Sequence, residues 1–141
     1  MSEKIKAKGS CLCGSVKFTV QELSTEVGLC HCAMCRKWGG GPMFAVDGGS
    51  DVSFEGQEHI TYFDSSPWAN RAFCSKCGAN LFYQLKGKDQ HMFSVGLFED
   101  QSPFQLHHQI FIDKKPGFYH FGNETENMTE AEVFAKYAPS S

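Results

Sequence analysis

Cys30-His31-Cys32-Ala33-Met34-Cys35-Arg36-Lys37 puts three thiols within six residues and two cations directly after them. Four thiolates close a structural zinc site, whereas three protein ligands with one position left for an incoming group are the arrangement of a catalytic zinc. The other four cysteines, Cys11, Cys13, Cys74 and Cys77, suffice for a closed site of their own. Seven thiols thus divide most simply into four and three, and the rest of the chain is read around that division.

Spacing by itself permits rival groupings. Cys32 and Cys35 could join Cys74 and Cys77 as a zinc ribbon, leaving Cys11, Cys13 and Cys30 over. A C-x-x-C pair could also be a thiol-redox couple, and four of the thiols could be two unrelated buried pairs. The residue after each group argues for the first division. Cys13 precedes Gly14 and Cys77 precedes Gly78, while Cys35 precedes Arg36. In a metal knuckle the chain turns sharply beneath the ion so that backbone N–H groups face the sulfurs, and glycine accepts the positive φ this requires. The two Cys-Gly groups therefore read as matched halves of one site that joins the N-terminal strand to the middle of the chain. Metal binding across so long a loop becomes folding energy.

The triplet also admits a closed reading, with His91, His107 or His108 as fourth ligand and His31 pointing away from the metal. Arg36, Lys37 and the run Gly39-Gly40-Gly41-Pro42 favour the open reading. Cations beside thiols favour the ionised form. The glycine run, too flexible for a helix, reads as a mobile loop near a ligand. A solvated surface turn would show the same residues. Trp38 and Trp68 are candidates to line the pocket but read first as core or rim aromatics, and His59 and His120 read as surface or satisfied core residues.

Length and composition are those of one globular domain spanning residues 1–141, 41% hydrophobic and 13% aromatic, with Phe the dominant large side chain. No linker or internal repeat divides it. No apolar run reaches the ~20 residues that cross a bilayer, and Met1-Ser2-Glu3-Lys4-Ile5-Lys6 lacks the apolar core of a signal peptide. The expectation is a cytoplasmic protein with no membrane partner. An odd number of cysteines in a reducing compartment argues against a disulfide framework. The net charge is −3 before any thiol ionises, and seven thiolates outweigh two divalent ions. Such a chain is a poor partner for nucleic acid, whose phosphates demand a basic face.

Hydrophobic patterning predicts a mainly antiparallel β domain with a short C-terminal helix. Val16, Phe18 and Val20 alternate with polar residues, as do Val52 and Phe54; Met43–Val46, Ile60–Phe63, Ala79–Leu85, Met92–Phe98 and Gln109–Ile112 read as further strands. The one helix that the pattern announces starts at Thr129, with Glu132 completing a capping box, Val133, Phe134 and Tyr137 forming its apolar face, and Pro139 closing it.

Three segments in order resemble the glutathione-dependent formaldehyde-activating enzyme family, whose fold is the zinc-bearing, β-rich Mss4-like fold. They are Gly9-Ser10-Cys11-Leu12-Cys13-Gly14-Ser15-Val16-Lys17-Phe18, then the opening stretch, then Arg71-Ala72-Phe73-Cys74-Ser75-Lys76-Cys77-Gly78-Ala79-Asn80-Leu81. A weaker match is Gln109-Ile110-Phe111-Ile112-Asp113-Lys114-Lys115-Pro116. The tail departs from the family's pattern, which often carries a histidine and a tryptophan there; this chain has His107 and His108 slightly earlier and Gly117-Phe118-Tyr119 after Pro116.

The resemblance implies two zinc ions, a structural one on Cys11, Cys13, Cys74 and Cys77 and an open one on Cys30, Cys32 and Cys35. It implies a carbon–sulfur lyase that forms or splits S-hydroxymethylglutathione, with glutathione or another small thiol and a small aldehyde as partners. A zinc held by three thiolates is electron-rich, so delivering and positioning the thiolate should matter more than activating the carbonyl. Arg36 and Lys37 are the candidates to pair with glutathione carboxylates. The rival function is a zinc-binding protein-interaction module of the same fold without catalysis. Methionine sulfoxide reduction, also found on a related fold, needs a nucleophilic cysteine downstream of the paired ligands, and none follows Cys77.

Overall fold

The alternation Val16, Phe18, Val20 becomes the inner face of a three-stranded antiparallel sheet. Its strands are β1 (Lys4–Ser10), β2 (Lys17–Ser24) and β5 (Val52–Glu55), with β2 in the middle and Phe18 opposite Phe54. The computed structural model describes residues 3–137. β1, which the hydrophobic patterning does not announce, turns Ile5 and Ala7 inward and Lys4, Lys6 and Lys8 outward. Lysines along an exposed edge keep it from pairing with other chains.

The larger sheet has eight strands: β3 (Glu26–Cys30), β4 (Met43–Asp47), β6 (Ile60–Ser66), β7 (Ala69–Cys74), β8 (Asn80–Leu85), β9 (Met92–Ser94), β10 (Gln105–Ile110) and β11 (Glu126–Met128). Their spatial order is β11-β10-β3-β4-β9-β8-β7-β6. Between β7 and β8 the pairing jumps from Ala72–Phe82 to Phe73–Asn80, so Leu81 is bulged out of register. Phe18 stacks on Phe93 at 4.6 Å, and Phe98 meets both rings edge-on at 5.5 and 5.6 Å. Such aromatic pairs add about 0.5–1.5 kcal/mol each beyond the area they bury. Val46, Leu81 and Phe82 complete a core in contact with both sheets.

Two sheets and a short C-terminal helix make the mainly β architecture expected from the sequence. Antiparallel pairs predominate, but β10 runs parallel to both of its neighbours, β3 and β11. Parallel pairing needs a long crossover, and β10 follows one that contains β4 to β9. Nothing in the polar run Gln105-Leu106-His107-His108 announces its partners. That strand also ends at Ile110, before a 3-10 turn over Ile112–Lys114, and the run after Ser94 coils into a 3-10 turn over Val95–Leu97.

The reading of one helix is corrected: α1 (Ala33–Gly39) lies inside the three-cysteine stretch, and Gly39, read as part of a mobile loop, belongs to its last turn. Its seven residues are too few for the 3.6-residue apolar periodicity that betrays a helix, and metal-ligand spacing masks both caps. Cys32 is the N-cap, accepting from the Cys35 N–H at 3.4 Å, and Gly40 ends the helix in a left-handed conformation with its N–H on Arg36 O. The C-terminal helix, α2 (Glu130–Tyr137), carries the capping box as read: Thr129 N–H donates to Glu132 Oε1 at 2.9 Å and Glu132 N–H to Thr129 Oγ1 at 3.2 Å. Val133 is buried while Phe134 is half-exposed against Trp68 and Phe111. The Tyr137 side chain and Pro139 lie outside the described residues. Among the described residues no helix is long and apolar enough to cross a membrane.

Candidate functional site

The four-cysteine cluster is built by two turns. One follows β1 and presents Cys11 and Cys13; the other joins β7 to β8 and presents Cys74 and Cys77. Gly14 and Gly78 close them at φ +81° and +78°, values that a β-carbon resists. The turns are near-copies: Gly14 N–H bonds Cys11 O at 3.2 Å and Gly78 N–H bonds Cys74 O at 2.8 Å. All four sulfurs lie within 4.8 Å of one another, with Cys11 to Cys13 at 3.6 Å and Cys13 to Cys74 at 3.8 Å. Tetrahedral zinc with Zn–S bonds near 2.3 Å would set its sulfurs about 3.8 Å apart, so the donor set fits such an ion. Hydrogen bonding from the Ser15 hydroxyl and backbone lowers the Cys13 thiol to about 6, and the Ala79 backbone N–H lowers Cys77.

The three-cysteine cluster takes Cys30 from the end of β3, Cys32 from the N-cap of α1 and Cys35 from its first turn. Their sulfurs also lie within 4.8 Å of one another, and among the described residues no histidine nitrogen or carboxylate oxygen joins them. The sulfurs compete for protons. Hydrogen bonds from Cys30 and then Cys35 hold Cys32 far below the ordinary thiol range, while the same contact with Cys32, joined by Cys35 and burial, drives Cys30 far above it. Three sulfurs gathered this closely suit a divalent cation. Both clusters are able to bind metal ions.

Each candidate fourth ligand is engaged elsewhere. His31 is fully buried, with Nε2 2.7 Å from Gln109 Oε1 and Nδ1 2.9 Å from the Tyr119 hydroxyl. Gln109 Nε2 donates to Thr125 Oγ1, which donates to Asn127 Oδ1. That order leaves Gln109 Oε1 to accept, so His31 carries its proton on Nε2 and the Tyr119 hydroxyl donates to Nδ1. His91 sits against Phe82 and Phe93 with Nδ1 on Gly49 O at 2.9 Å. His107 bridges Glu26 and Glu126 at 3.3 and 3.1 Å, and His108 packs beside it over Gly28. Burial, then the neighbouring His107, lowers the pKa of His108.

Beside Cys35 opens a cleft of about 360 Å³ walled by Trp38, Pro42, Met43, Phe44, Val95 and Leu97, with Asn80 and Ser94 as its polar side chains. Behind Cys35 lies Arg71 of β7, 3% exposed, with Nη1 and Nη2 each 3.6 Å from the sulfur. Its guanidinium carbon sits 5.1 Å from the Trp38 ring centroid and 5.2 Å from that of Tyr83. Arg36 is half-buried with Nε donating to His31 O at 3.0 Å, and Lys37 is exposed. Neither lines the cleft. Trp68 is half-exposed against α2, while Trp38 is part of the site.

Sequence reasoning did not single out Arg71, Gln109 or Tyr119. Arg71 had one signal, its place three residues before Cys74 in a segment that carries the family resemblance. Gln109 and Tyr119 had none, since only the fold brings residues so far along the chain onto His31.

A profile of the glutathione-dependent formaldehyde-activating enzyme family matches residues 6–114. An uncharacterized lyase of Schizosaccharomyces pombe is 31% identical over 127 residues, covering 89% of this chain and 93% of its own. A Halomonas elongata protein, named provisionally as a glutathione-dependent formaldehyde-activating enzyme, is 28% identical over 148 residues, covering 95% and 90%. A crystal structure of a Rhodobacter sphaeroides protein superposes with a TM-score of 0.57 at 28% identity, covering 65% of this chain and 87% of that one. With the cysteine segments, the sheets and the profile in agreement, this chain belongs to the glutathione-dependent formaldehyde-activating enzyme family, which has the Mss4-like fold.

Proposed function

We propose that the protein is a zinc-dependent carbon–sulfur lyase-type enzyme that joins a small thiol, glutathione in the first instance, to a small aldehyde, or splits the adduct. The observation that carries this reading is the trio Cys30, Cys32 and Cys35, which no fourth histidine, cysteine or carboxylate among the described residues joins, at the edge of an open cleft. The lyase named among the relatives and the family profile support it. Zinc on three thiolates supplies a place for an incoming sulfur and lowers that thiol's pKa, so that it is a nucleophile at neutral pH.

The chain's own groups do the rest. Cys11, Cys13, Cys74 and Cys77 would hold a structural zinc that ties β7 to the small sheet. Cys30, Cys32 and Cys35 would hold the second, on a loop-to-helix junction secured by His31. The aldehyde enters the largely apolar cleft beside Cys35. The sulfur adds to the carbonyl carbon, the π electrons pass to oxygen, and the thiol proton ends on that oxygen. Arg36 and Lys37, in the last turn of α1, meet the carboxylates of a thiol held above the helix.

The test is a titration of glutathione into cobalt-substituted protein, followed by the rate of formaldehyde exchange with S-hydroxymethylglutathione measured by NMR. Glutathione should intensify the sulfur-to-cobalt charge-transfer band, and exchange should quicken with enzyme concentration. An unchanged band together with unchanged exchange rejects the reading.

A further inference from the structure

We propose that Arg71 is the counter-ion of the three-cysteine centre: its guanidinium holds Cys35 Sγ with two N–H groups and so allows the centre to accept a second anion, the thiolate of the substrate. The last clause rests on the function proposed above; the counter-ion role does not.

Three observations carry it. Arginine stays protonated in proteins, so a charge 97% removed from solvent needs an opposite charge nearby or is strongly destabilising. Among the described residues no carboxylate forms an ion pair with Arg71. Both terminal nitrogens converge instead on one sulfur at 3.6 Å, a hydrogen-bonding distance for sulfur, while Nε is buried without any partner. The rings of Trp38 and Tyr83 take the remaining contact. A guanidinium normally anchored by carboxylate or carbonyl oxygens is here aimed at thiol sulfur alone. Burial, opposed by the charge of Arg71, holds Tyr83 up to about 12, so its hydroxyl stays neutral and does not compete as the anion.

Charge then explains the pairing. Three thiolates around a divalent ion carry one net negative charge, which Arg71 cancels. When a fourth thiolate arrives, Arg71 leaves one net charge where a site without it would carry two. A Cys35 that accepts two guanidinium N–H groups is also a weaker donor to the metal than it would be without them, leaving more of the metal's acceptor capacity for the incoming sulfur. Arg71 thus acts through Cys35 as a positioning residue and touches no reacting atom.

The experiment compares Arg71→Met and Arg71→Lys with the unaltered chain, each loaded with cobalt and challenged with a chelator that reads the two sites separately. The four-cysteine site serves as the internal check of folding. Arg71→Met should keep that site filled, bind metal at the three-cysteine site at least tenfold more weakly, and take up glutathione at least tenfold more weakly. Arg71→Lys should restore most of both affinities, with the charge-transfer band displaced because the two-pronged contact is gone. Metal and glutathione affinities within twofold of the unaltered chain in Arg71→Met would overturn the proposal. If Arg71→Met leaves the four-cysteine site empty, Arg71→Lys decides alone: a displaced band upholds the contact with Cys35, an identical band rejects it. If the unaltered chain binds no glutathione, the functional reading fails, and the gap in metal affinity still judges Arg71.

Discussion

The four-cysteine cluster draws its sulfurs from two turns 61 residues apart, whereas the three-cysteine cluster takes all of its sulfurs from one unbroken stretch. A metal on the first would staple two sheets beside the main hydrophobic core, to which Cys11 and Cys74 belong. A metal on the second would staple nothing, since chain connectivity already holds that cluster together. What surrounds it is directional and specific: a histidine fixed at both nitrogens, a buried guanidinium, and a largely apolar open cleft. A metal's contribution to folding scales with the loop it closes and the ligands it organises. The contrast therefore separates a site that makes the fold from a site the fold makes.

The largest effect expected from that contrast is at Cys74, which is fully buried. Structural zinc is worth about 10–16 kcal/mol in small zinc peptides, as much as the roughly 5–15 kcal/mol net stability of a whole domain. Cys74→Ser should therefore lose both metals and its cooperative thermal transition; a variant that still melts within a few degrees of the original would make the two sites equivalent and break the comparison. Cys32→Ser should do the opposite. Metal analysis should find one ion where there were two, thiol binding should vanish, and the melting temperature should move by only a few degrees. A loss of both ions would show that the second site also builds the fold.

Smaller changes sharpen the contrast at the three-cysteine end. A β-carbon on Gly28 would lie 2.2 Å from His108 Nε2, so Gly28→Ala should displace the His108 ring and strain the β3–β10 pairing. Overpacking of this kind costs about 1–3 kcal/mol, and denaturant unfolding should register it while the four-cysteine site keeps its metal. Retained stability would mean that His108 swings aside freely. Tyr119→Phe removes one donor to His31, a loss of about 0.5–1.5 kcal/mol. Metal exchange at the three-cysteine site should quicken several-fold with the four-cysteine site unaffected; equal rates at both would sever the link from Tyr119 to that site. Acidification should give the smallest effect. The folded pKa of His108 lies below its unfolded value, so the folded state binds fewer protons, and stability should decline as pH falls from about 7.5 toward 5.5. His108→Gln should flatten that slope.

Much of this organisation was legible in the residues. The division of the cysteines could be read because each Cys-Gly pair dictates a local turn, and local turns need no knowledge of distant partners. The inner face of β2 was legible for the same reason: alternation is written within one strand. The helix α1 escaped because its caps double as ligand spacing. The position of β10 escaped because parallel pairing depends on a partner that no neighbouring residue names. At the candidate site the sulfurs were found and their setting was not. Arg71, Gln109 and Tyr119 come from three different parts of the chain, and their convergence is a property of the fold.

Strand β7 carries Cys74 at its end and Arg71 three residues before it, on opposite faces, and the bulge at Leu81 of the adjoining β8 falls between their two levels. That offset sets the phase between the two centres. A one-residue deletion in this hairpin would rotate the thiol and the guanidinium away from their destinations in the same stroke. Neither centre can drift in sequence independently of the other while this crossbar joins them, which makes the hairpin the least editable part of the molecule.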